Sequence, residues 1–505
     1  FGGYDDEVKT LVASLPRKDR GYHKIPFAAV ARKNAYDAAI TRTLGERFLA
    51  EISKDEKLLW VYDNVTIPVS NPLMQMSLRG IGMGAEDARQ AIVDNHIMQH
   101  KITRIMEEVP EWRKAEELLQ EKIEVSKAAH RMCLLFHPDC CRLTPTKLSS
   151  KTDLPSTDKD VLDELAESSI VAYGIRKLRA LETFKEKTLQ PMPKWIGWDG
   201  RVHPQFKIHG TRTGRLSSAQ PNCQNFSKES FAMIKADPGY VLIVCDISQA
   251  EIRMTGTVCN EPVLIEAFNA GIGPDGKPID IHAAVAQDMF GISYEQAKAD
   301  DTVRRIVKGL QFGIVYGMTR HGLSMRIHKT PEEAQALIDL YFKKMSRVKK
   351  ILFEETKQML LQDGYARTLF GRYWHLTDQQ KAALAELKHL GNAMWERGMP
   401  AKALRQAANF RIQSPTSDMV LRGLIKFERD VREKYSVGTP GADLYLSNEI
   451  HDSVIVEVKE EFSYPIAELL KHCMENPEVP FQLPVPWVAD LKMGHNMGEL
   501  QKVET

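Results

Sequence analysis

Two aspartates, Asp246 and Asp452, stand where a carboxylate is costly unless it has a task. Asp246 directly follows the apolar run "VLIVC", and Asp452 interrupts the alternating apolar pattern of "DLYLSNEIHDSVIVEVKEE". A carboxylate beside a buried strand needs water, a partner or a cation. Either aspartate alone is compatible with a simple turn, because Asp is common at bends. Together they predict a hard-cation site, since Mg²⁺ is typically held by one or two carboxylates plus substrate phosphates.

A second candidate for chemistry lies in "TVRRIVKGLQFGIVYGM", which has helical periodicity. Residues four apart lie on nearly the same side of an α-helix, so four side chains form a stripe about 18 Å long. These are Arg304, Lys308, Phe312 and Tyr316. Two fixed cations can neutralise a triphosphate, and an aromatic ring one turn further on can stack on a base. A helix with cations on one side can also be merely solvated, so the stripe alone leaves both interpretations open.

The composition sets limits on the class of protein. The chain has 505 residues, a net charge of +1 and seven cysteines. That length predicts several subdomains, and the small net charge means that any basic surface is local. The cysteines are scattered without a C-x-x-C repeat, which is typical of reduced intracellular thiols. No apolar run reaches about 18 residues, so no membrane span is expected. The beginning, "FGGYDDEV", has neither a signal peptide nor a starting Met, and we expect a fragment or a trimmed product.

The order of the predicted elements indicates an α+β fold with one sheet assembled from separated segments. Helical patterns fill most of the first 130 residues and most of residues 260–430. Pro110 separates two long amphipathic helices, which are predicted over 86–109 and 111–132. Strands are predicted at 241–245, in a hairpin over 443–458 and in the tail "VPWVADLKMGHNM". Both aspartates are therefore expected at the ends of strands in one sheet.

In order and spacing, these stretches resemble motifs A, B and C of family A DNA polymerases, the group of bacterial DNA polymerase I and many phage replicases. Residues 246–253 ("DISQAEIR") resemble the first motif, residues 304–317 the second, and residues 451–453 ("HDS") the third. "TRTGRLSS" with "PNCQNF" is similar to the primer-binding segment, and "RQAANFRIQSPTSD" to the helix beside the nascent duplex. The resemblance covers about residues 65–505 and favours a phage or viral type.

The resemblance implies an α+β right-hand polymerase fold, with an antiparallel palm sheet, helical fingers and a helical thumb. It divides the chain into an exonuclease-like remnant or linker (1–64), palm entry (65–84), thumb (85–150), palm with motif A (151–260), fingers with motif B (261–404) and palm with motif C (405–505). Asp37 matches the last acid of a 3′–5′ exonuclease, but the acidic strand that would carry the other ligands has no counterpart. No proofreading is therefore expected from this chain.

The resemblance also implies template-directed DNA synthesis from a primer 3′-hydroxyl, in replication or repair. Asp246 and Asp452 would be catalytic and would hold two Mg²⁺ ions, for which Mn²⁺ can substitute. Lys308 would be catalytic too, and Glu251 would exclude a 2′-hydroxyl. The residues implied to contact the incoming nucleotide are Arg304, Lys308, Phe312, Tyr316, His282, Gln249 and Glu251. Those implied to contact the primer–template duplex are Arg215, Asn225, Arg405, Asn409, Gln413 and His451.

The implied partners are primer–template DNA and deoxynucleoside triphosphates. The protein is expected to be a monomer that does not associate with a membrane, in the cytoplasm of a bacterial or phage-infected cell. Ser453 stands where many relatives carry a third carboxylate, and Glu457 lies too far along its strand to replace it. Two alternatives stay open. A single-subunit RNA polymerase also uses two acids and an Arg-Lys-Tyr-Gly helix, and a nucleic-acid-binding protein could keep the fold without activity.

Overall fold

A computed structural model gives the fold, and the residues that it describes are 6–16, 20–149, 152–274, 276–315, 317–327, 329–395 and 398–504. The chain forms two compact units. The first, here called the helical unit, comprises residues 1–69 and 254–418. The second, the sheet unit, comprises residues 70–253 and 419–505.

The helices of the described residues are, in chain order, α1 (Asp6–Ser14), α2 (Phe27–Ile52), α3 (Glu56–Val61), α4 (Ser70–Arg79), α5 (Ala85–Glu107), α6 (Pro110–Leu119), α7 (Ala128–Phe136), α8 (Lys159–Leu165), α9 (Ile170–Phe184), α10 (Met192–Trp195), α11 (Ala250–Cys259), α12 (Pro262–Ala270), α13 (Ile281–Phe290), α14 (Tyr294–Ala299), α15 (Asp301–Val315), α16 (Arg320–Ile327), α17 (Pro331–Lys344), α18 (Ser346–Val348), α19 (Thr356–Gln362), α20 (Asp378–Leu387), α21 (Gly398–Val431) and α22 (Ser463–Glu475). The strands are β1 (Ile81–Gly82), β2 (Arg201–Val202), β3 (Gln205–Lys207), β4 (Ser217–Ala219), β5 (Tyr240–Ile247), β6 (Tyr365–Arg367), β7 (Tyr373–His375), β8 (Leu444–Ile450), β9 (Ser453–Lys459), β10 (Ala489–Gly494) and β11 (Gln501–Val503). Within the described ranges, no helix has both the length and the apolarity that a membrane crossing requires.

The sheet unit is built around an antiparallel sheet with the strand order β11-β10-β5-β9-β8. The central strand, β5, pairs with β9 on one side and with β10 on the other. Its apolar run is buried along its whole length, as expected of a strand that is covered on both faces. On one face, Leu242 and Val244 pack with Ile455 of β9, while α22 also contacts β5. This packing fixes the position of β5, which carries Asp246 next to its last residue.

A second core of the sheet unit lies among α5 to α9, where Trp112, Leu134, Leu162 and Ile175 are buried together. The predicted strand, hairpin and tail strand are confirmed as β5, the β8–β9 hairpin and β10. The prediction of one helix over 111–132 is wrong.

α6 ends at Leu119, Gln120 adopts a left-handed conformation with φ 54°, and α7 begins only at Ala128. In the gap, the Glu116 carboxylate accepts from the N–H of Ile123 (3.2 Å) and the ring of His130 accepts from the N–H of Glu124 (3.0 Å). These side-chain acceptors give the backbone an alternative to helical hydrogen bonds.

A buried cluster of charges ties β9 to other parts of the sheet unit. Glu457 is fully buried, and its Oε2 accepts from Arg79 (3.0 Å) and from Arg201. Its Oε1 accepts from the backbone N–H of Asp237 at 2.7 Å. The Asp237 carboxylate binds the same two arginines, at 2.6 Å and 2.7 Å. Glu457 is therefore a structural acid, consistent with its exclusion as a third carboxylate of the candidate site.

In the helical unit, a core that includes Trp374 and Phe410 lies beside the β6–β7 hairpin. Asp55, the N-cap of α3, accepts from the N–H of Leu58 (3.2 Å), from the Tyr373 hydroxyl (2.5 Å) and from the guanidinium of Arg367. One carboxylate thus joins the residues before α3 to the hairpin at 365–375.

Candidate active site

The strand register of the sheet unit brings the two predicted aspartates together. Asp246 pairs with Ser453 of β9, the residue after Asp452. The backbone carbonyl of Asp452 accepts a hydrogen bond from the N–H of Ile247 at 3.0 Å. Because His451 has φ 61°, the chain reverses tightly between β8 and β9 and places Asp452 at the bend. Two acids about 200 positions apart in the sequence are therefore neighbours at one end of the sheet.

The two aspartates share an environment that disfavours their charged forms. Burial, and after it the negative charge of Asp452, raises the pKa of Asp246 to about 7. Burial also raises the pKa of Asp452 above its ordinary range, although Arg215 acts in the opposite direction. Asp490, which pairs with Asp246 from β10, adds to the rise at Asp246, and Lys492 opposes it. Since both carboxyls resist ionisation, a cation placed between them would be bound favourably.

The predicted steric gate and the predicted primer contact are bonded to each other. Arg215 donates to the Glu251 carboxylate at 2.6 Å, and Glu251 is buried. Gln249 and Asn225, also predicted site residues of this unit, are exposed. Arg215 can contact a ligand only if its bond to Glu251 is exchanged or shared. The sequence alone gave no signal of this pairing.

The bend itself carries two further observations. The Nδ1 atom of His451 is buried without a hydrogen-bond partner, so this predicted duplex contact has an unsatisfied polar atom. Burial, and after it the charge of Arg215, lowers the pKa of His451 and favours the neutral ring. The Ser453 hydroxyl donates to the carbonyl of Ile450 at 3.1 Å. Ser453 therefore supplies no charge to the bend and uses its donor locally.

Sequence reasoning missed Glu449, which lies three residues before Asp452 and is fully buried. Its carboxyl group accepts from the side-chain amide of Gln224 at 2.6 Å. Burial raises the pKa of Glu449 to about 8, and the charge of Asp452 contributes to the rise. A glutamate in the alternating pattern of β8 could have been noticed, but nothing in the sequence linked it to residue 224.

The donor set suits a divalent cation of the Mg²⁺ type. The described residues contain no group of three His, Cys, Asp or Glu side chains arranged to hold a metal. Two carboxylates with water and substrate phosphates are nevertheless the usual environment of Mg²⁺, which rarely has an all-protein cage. The raised pKa of Asp246 supports this assignment, because its causes are burial and the negative charge of Asp452, and a bound cation would offset both.

The helical unit brings together most of the predicted nucleotide contacts on α13 and α15. His282 and Phe312 have ring centroids 6.1 Å apart. Burial lowers the pKa of His282, and the charges of Lys308 and Arg304 lower it further. Four of the predicted residues thus occupy one region. Tyr316, the last member of the stripe, lies outside the described residues.

Two contacts in this region were not predicted. Arg304 is ion-paired with Asp280 at 2.7 Å, and Asp280 is also the N-cap of α13. The His282 ring bonds the side-chain oxygen of Gln311 at 2.5 Å, while the amide nitrogen of Gln311 is buried without a partner. Lys308 is exposed. Of the two cations of the stripe, Lys308 is therefore the more available to an anion.

Three predicted duplex contacts lie on α21 at intervals of four, which places them on one side of the helix. Arg405 and Asn409 are half-buried, Gln413 is buried, and the side-chain oxygen of Asn409 has no hydrogen-bond partner. Gly317, after α15, has φ +67°, and a Cβ there would lie 2.2 Å from Cγ of Arg405. A glycine at 317 therefore allows the backbone to approach Arg405 closely.

Comparison with known proteins agrees with these observations. A family model described as DNA polymerase family A matches residues 95–499. The chain is 27% identical to DNA polymerase I of Chloroflexus aurantiacus over 499 residues, which cover 96% of the chain and 48% of that protein. It is 28% identical to the thermostable DNA polymerase I of Thermus aquaticus over 466 residues, covering 91% and 51%. It is 26% identical to the DNA polymerase of Bacillus phage SP01 over an alignment of 564 positions, gaps included, which covers 99% of the chain and 57% of that protein. The chain spans about half the length of these curated relatives.

Among solved structures, the chain is similar to the POL domain of Pol1 from M. smegmatis in complex with DNA primer-template and dNTP. The TM-score is 0.76 at 22% identity, and the match covers 99% of the chain and 79% of that domain. At this identity the likeness concerns the fold. The α+β right-hand polymerase fold predicted from the sequence is confirmed.

Proposed function

Because the chain belongs to DNA polymerase family A, we propose that it is a DNA-directed DNA polymerase that adds deoxynucleotides to a primer 3′-hydroxyl on a DNA template. The observation that carries the proposal is the strand register that places Asp246 beside the Asp452 bend. Two neighbouring carboxyls that resist ionisation form a receptor for divalent cations, which phosphoryl transfer requires.

Asp246 and Asp452 would hold the two Mg²⁺ ions, and Mn²⁺ could substitute for them. When bound, such ions lower the pKa of the attacking hydroxyl and neutralise charge on the leaving group. The protein's own part begins with Ile247, whose N–H holds the Asp452 carbonyl and thereby fixes the bend beside Asp246. Glu251, held by Arg215, would stand beside the sugar of the nucleotide and exclude a 2′-hydroxyl by its bulk.

Lys308 would bind the triphosphate first, because it is exposed, and it would then stabilise the charge that develops during transfer. Arg304 would join it by exchanging Asp280 for a phosphate oxygen. The Nδ1–H of His282 donates to the Gln311 side-chain oxygen, so the ring would donate to the same group from Nε2 only after the phosphate charge has protonated it. Phe312 and Tyr316 would pack against the sugar and the base.

The predicted duplex contacts would read the shape of base pairs, not their sequence. Purine N3 and pyrimidine O2 acceptors lie in the minor groove of every correct pair, so donors from Arg and Gln can test pairing at any sequence. Arg215, Arg405 and Gln413 would supply such donors, and His451 belongs to the same predicted set. Asn225 and Asn409 would complete the set.

The experiment that tests this proposal is extension of a labelled primer on a DNA template with Mg²⁺. Asp246→Ala should abolish extension while duplex binding, measured by fluorescence anisotropy, stays close to that of the wild type. Asp443→Asn is the matched control, because Asp443 lies next to the other end of the same hairpin, where it pairs with Lys459. Unchanged extension by Asp246→Ala would refute the metal role.

Replacing the deoxynucleotides by ribonucleotides in the same assay tests the RNA polymerase alternative. The proposed role of Glu251 predicts that ribonucleotides are poor substrates. A wild-type protein that binds the duplex but extends it with neither set of nucleotides would favour the inactive, DNA-binding alternative.

A further inference from the structure

Glu449 is a buried acid whose burial is explained neither by a salt bridge nor by a proposed ligand. It is 1% exposed, and its hydrogen bond of 2.6 Å comes from the neutral amide of Gln224. Within the described residues, no arginine or lysine forms an ion pair with it. A buried acid without a cation is unfavourable as an anion, so it is held as an uncharged group.

The partner of Glu449 belongs to a turn that is itself tightly bonded. Gln224 lies in the 3₁₀ turn Cys223–Asn225, and its N–H donates to the Asn222 side chain at 3.2 Å. The same Asn222 oxygen accepts from the Ser218 hydroxyl at 3.0 Å. The turn therefore keeps its shape without help from the hairpin, and its bond to Glu449 fixes where it stands relative to β8.

A second bond repeats this connection. Asn448, the residue before Glu449, is buried and donates to the carbonyl of Cys223 at 3.4 Å. Two successive residues of β8 thus hold two successive residues of the turn. Fully satisfied buried polar networks of this kind restrict motion and specify one arrangement.

The two ends of this connection carry residues with different proposed tasks. Asn225, proposed to contact the duplex, follows Gln224 directly and is exposed. On the other side, His451 and Asp452 follow Glu449 by two and three residues. The bonds between turn and hairpin therefore set the placement of a duplex contact relative to a metal ligand.

We propose that Glu449 is a positioning residue, an uncharged hydrogen-bond acceptor that locks the 222–225 turn to the hairpin bearing His451 and Asp452. Through this lock, a correctly seated primer end and the Asp452 carboxylate are held in register. The inference rests on the proposed polymerase function and extends it to a residue that touches neither DNA nor metal.

The test compares single-nucleotide extension by the wild type, three test variants and one control variant. Glu449→Gln keeps an acceptor of the same length. Glu449→Leu removes the acceptor, and Gln224→Met removes the donor while keeping the chain length. Val458→Ala, at the far end of β9 and fully buried, is the control for a loss of core packing alone. For each protein the rate constant at saturating nucleotide, the KM for nucleotide and the melting temperature are measured.

Glu449→Gln is expected to extend within about twofold of the wild type. Glu449→Leu and Gln224→Met should each lose about tenfold or more in rate at saturating nucleotide, because small displacements of reacting groups are costly. Their KM for nucleotide should change by less than about threefold, because they do not contact it. Val458→Ala should lower the melting temperature and leave the rate unchanged.

Three results would overturn the inference. If Glu449→Gln is as slow as Glu449→Leu, the charge of the carboxylate is used and the acceptor role is wrong. If Glu449→Leu or Gln224→Met melts earlier but extends at the wild-type rate, the contact is only structural. If Glu449→Leu does not fold, Gln224→Met decides alone, and a wild-type rate in that variant refutes the lock. Failure of the wild type to extend any primer would instead count against the polymerase function itself.

Discussion

Two glutamates near opposite ends of the β8–β9 hairpin are both buried, but the protein neutralises them in different ways. Glu457 accepts hydrogen bonds from Arg79 and Arg201, and these two arginines also bind Asp237. Glu449 has the amide of Gln224 as its partner. The end with Glu457 is thus an ion-pair network, whereas the end near the bend holds acids with few cations.

The contrast shows how a fold can prepare a site for metal ions. Near the bend, Arg215 opposes the rise in pKa of Asp452 and Glu449, but it is itself bonded to Glu251. Lys492 opposes the rise at Asp246. Burial raises the pKa of all three acids, and the charge of Asp452 adds to the rise at Asp246 and Glu449. Glu457 is thus neutralised by arginines of the protein, whereas Asp246 and Asp452, the proposed metal ligands, form no ion pair within the described residues, at a cost in stability.

The largest effect is expected for Asp452→Asn, which tests the functional end. Extension should fall by about 10³-fold or more, since a ligand of the catalytic ions is lost. The melting temperature without metal should stay the same or rise, because a buried carboxyl that repels Asp246 is removed. Single-turnover extension and thermal unfolding in chelator measure the two effects. A marked fall in melting temperature would break the comparison, because it would make Asp452 a structural acid.

The second prediction concerns the structural end. Arg201→Met should lower the free energy of unfolding by about 3–5 kcal/mol, because it leaves Glu457 buried with one arginine fewer. Urea denaturation measures the loss, and the double variant Arg201→Met with Glu457→Gln should recover part of it. No recovery in the double variant would show that packing, and not the ion pair, is responsible.

The third prediction uses the pH dependence of stability to test whether Glu449 is uncharged in the folded protein. The pKa of Glu449 is about 8 in the folded protein, above its ordinary value of 4.5. The folded state then binds more protons than the unfolded state between these values, so this group's contribution to stability is lost as the pH rises through about 8.

Glu449→Gln should therefore be more stable than the wild type by a few kcal/mol near pH 8, and the gain should shrink towards pH 5. Urea unfolding across this range, with metal absent, measures it. An equal difference at all pH values would show that Glu449 does not titrate in the expected range.

The smallest effects are expected on the helical unit, where Arg304 is neutralised by Asp280 and Lys308 is exposed. Lys308→Ala should raise the KM for nucleotide by about tenfold, and Arg304→Ala by less, because Arg304 must first leave its partner. Asp280→Asn keeps the N-cap of α13 and leaves Arg304 with only its longer contact of 3.8 Å to the exposed Asp301, so it should lower the KM by about twofold. Steady-state extension at varied nucleotide concentration ranks the three. A larger rise in KM for Arg304→Ala than for Lys308→Ala would show that Arg304, and not Lys308, is the more available to the triphosphate.

Much of the sheet unit could be predicted from the sequence, because its signals are local. The apolar run before Asp246 and the alternation on both sides of Asp452 gave strands at the right positions. Family resemblance then ordered the elements. The break at Gln120 could not be predicted, because it depends on side chains that hydrogen-bond to the backbone across several residues.

The hydrogen-bond and ion-pair partners of the site residues could not be predicted from the sequence either. The pairs Arg215–Glu251 and Arg304–Asp280 join residues 36 and 24 positions apart. The bond between Gln224 and Glu449 spans 225 positions. Periodicity shows which side of an element a residue occupies, but it does not show which distant element lies opposite. Residue types at the site could therefore be predicted, and their state of neutralisation could not.

The bonds of Asp55 have a practical consequence for anyone who wishes to shorten this protein. Its carboxylate serves the N-terminus of α3 and holds both Arg367 and Tyr373 of the β6–β7 hairpin. A version that started after α3 would leave these two side chains without their acceptor and would also lose the stacking of Trp60 on Phe370. The shortest stable version of the protein should therefore begin before residue 55, even though the motif resemblance starts about ten residues later.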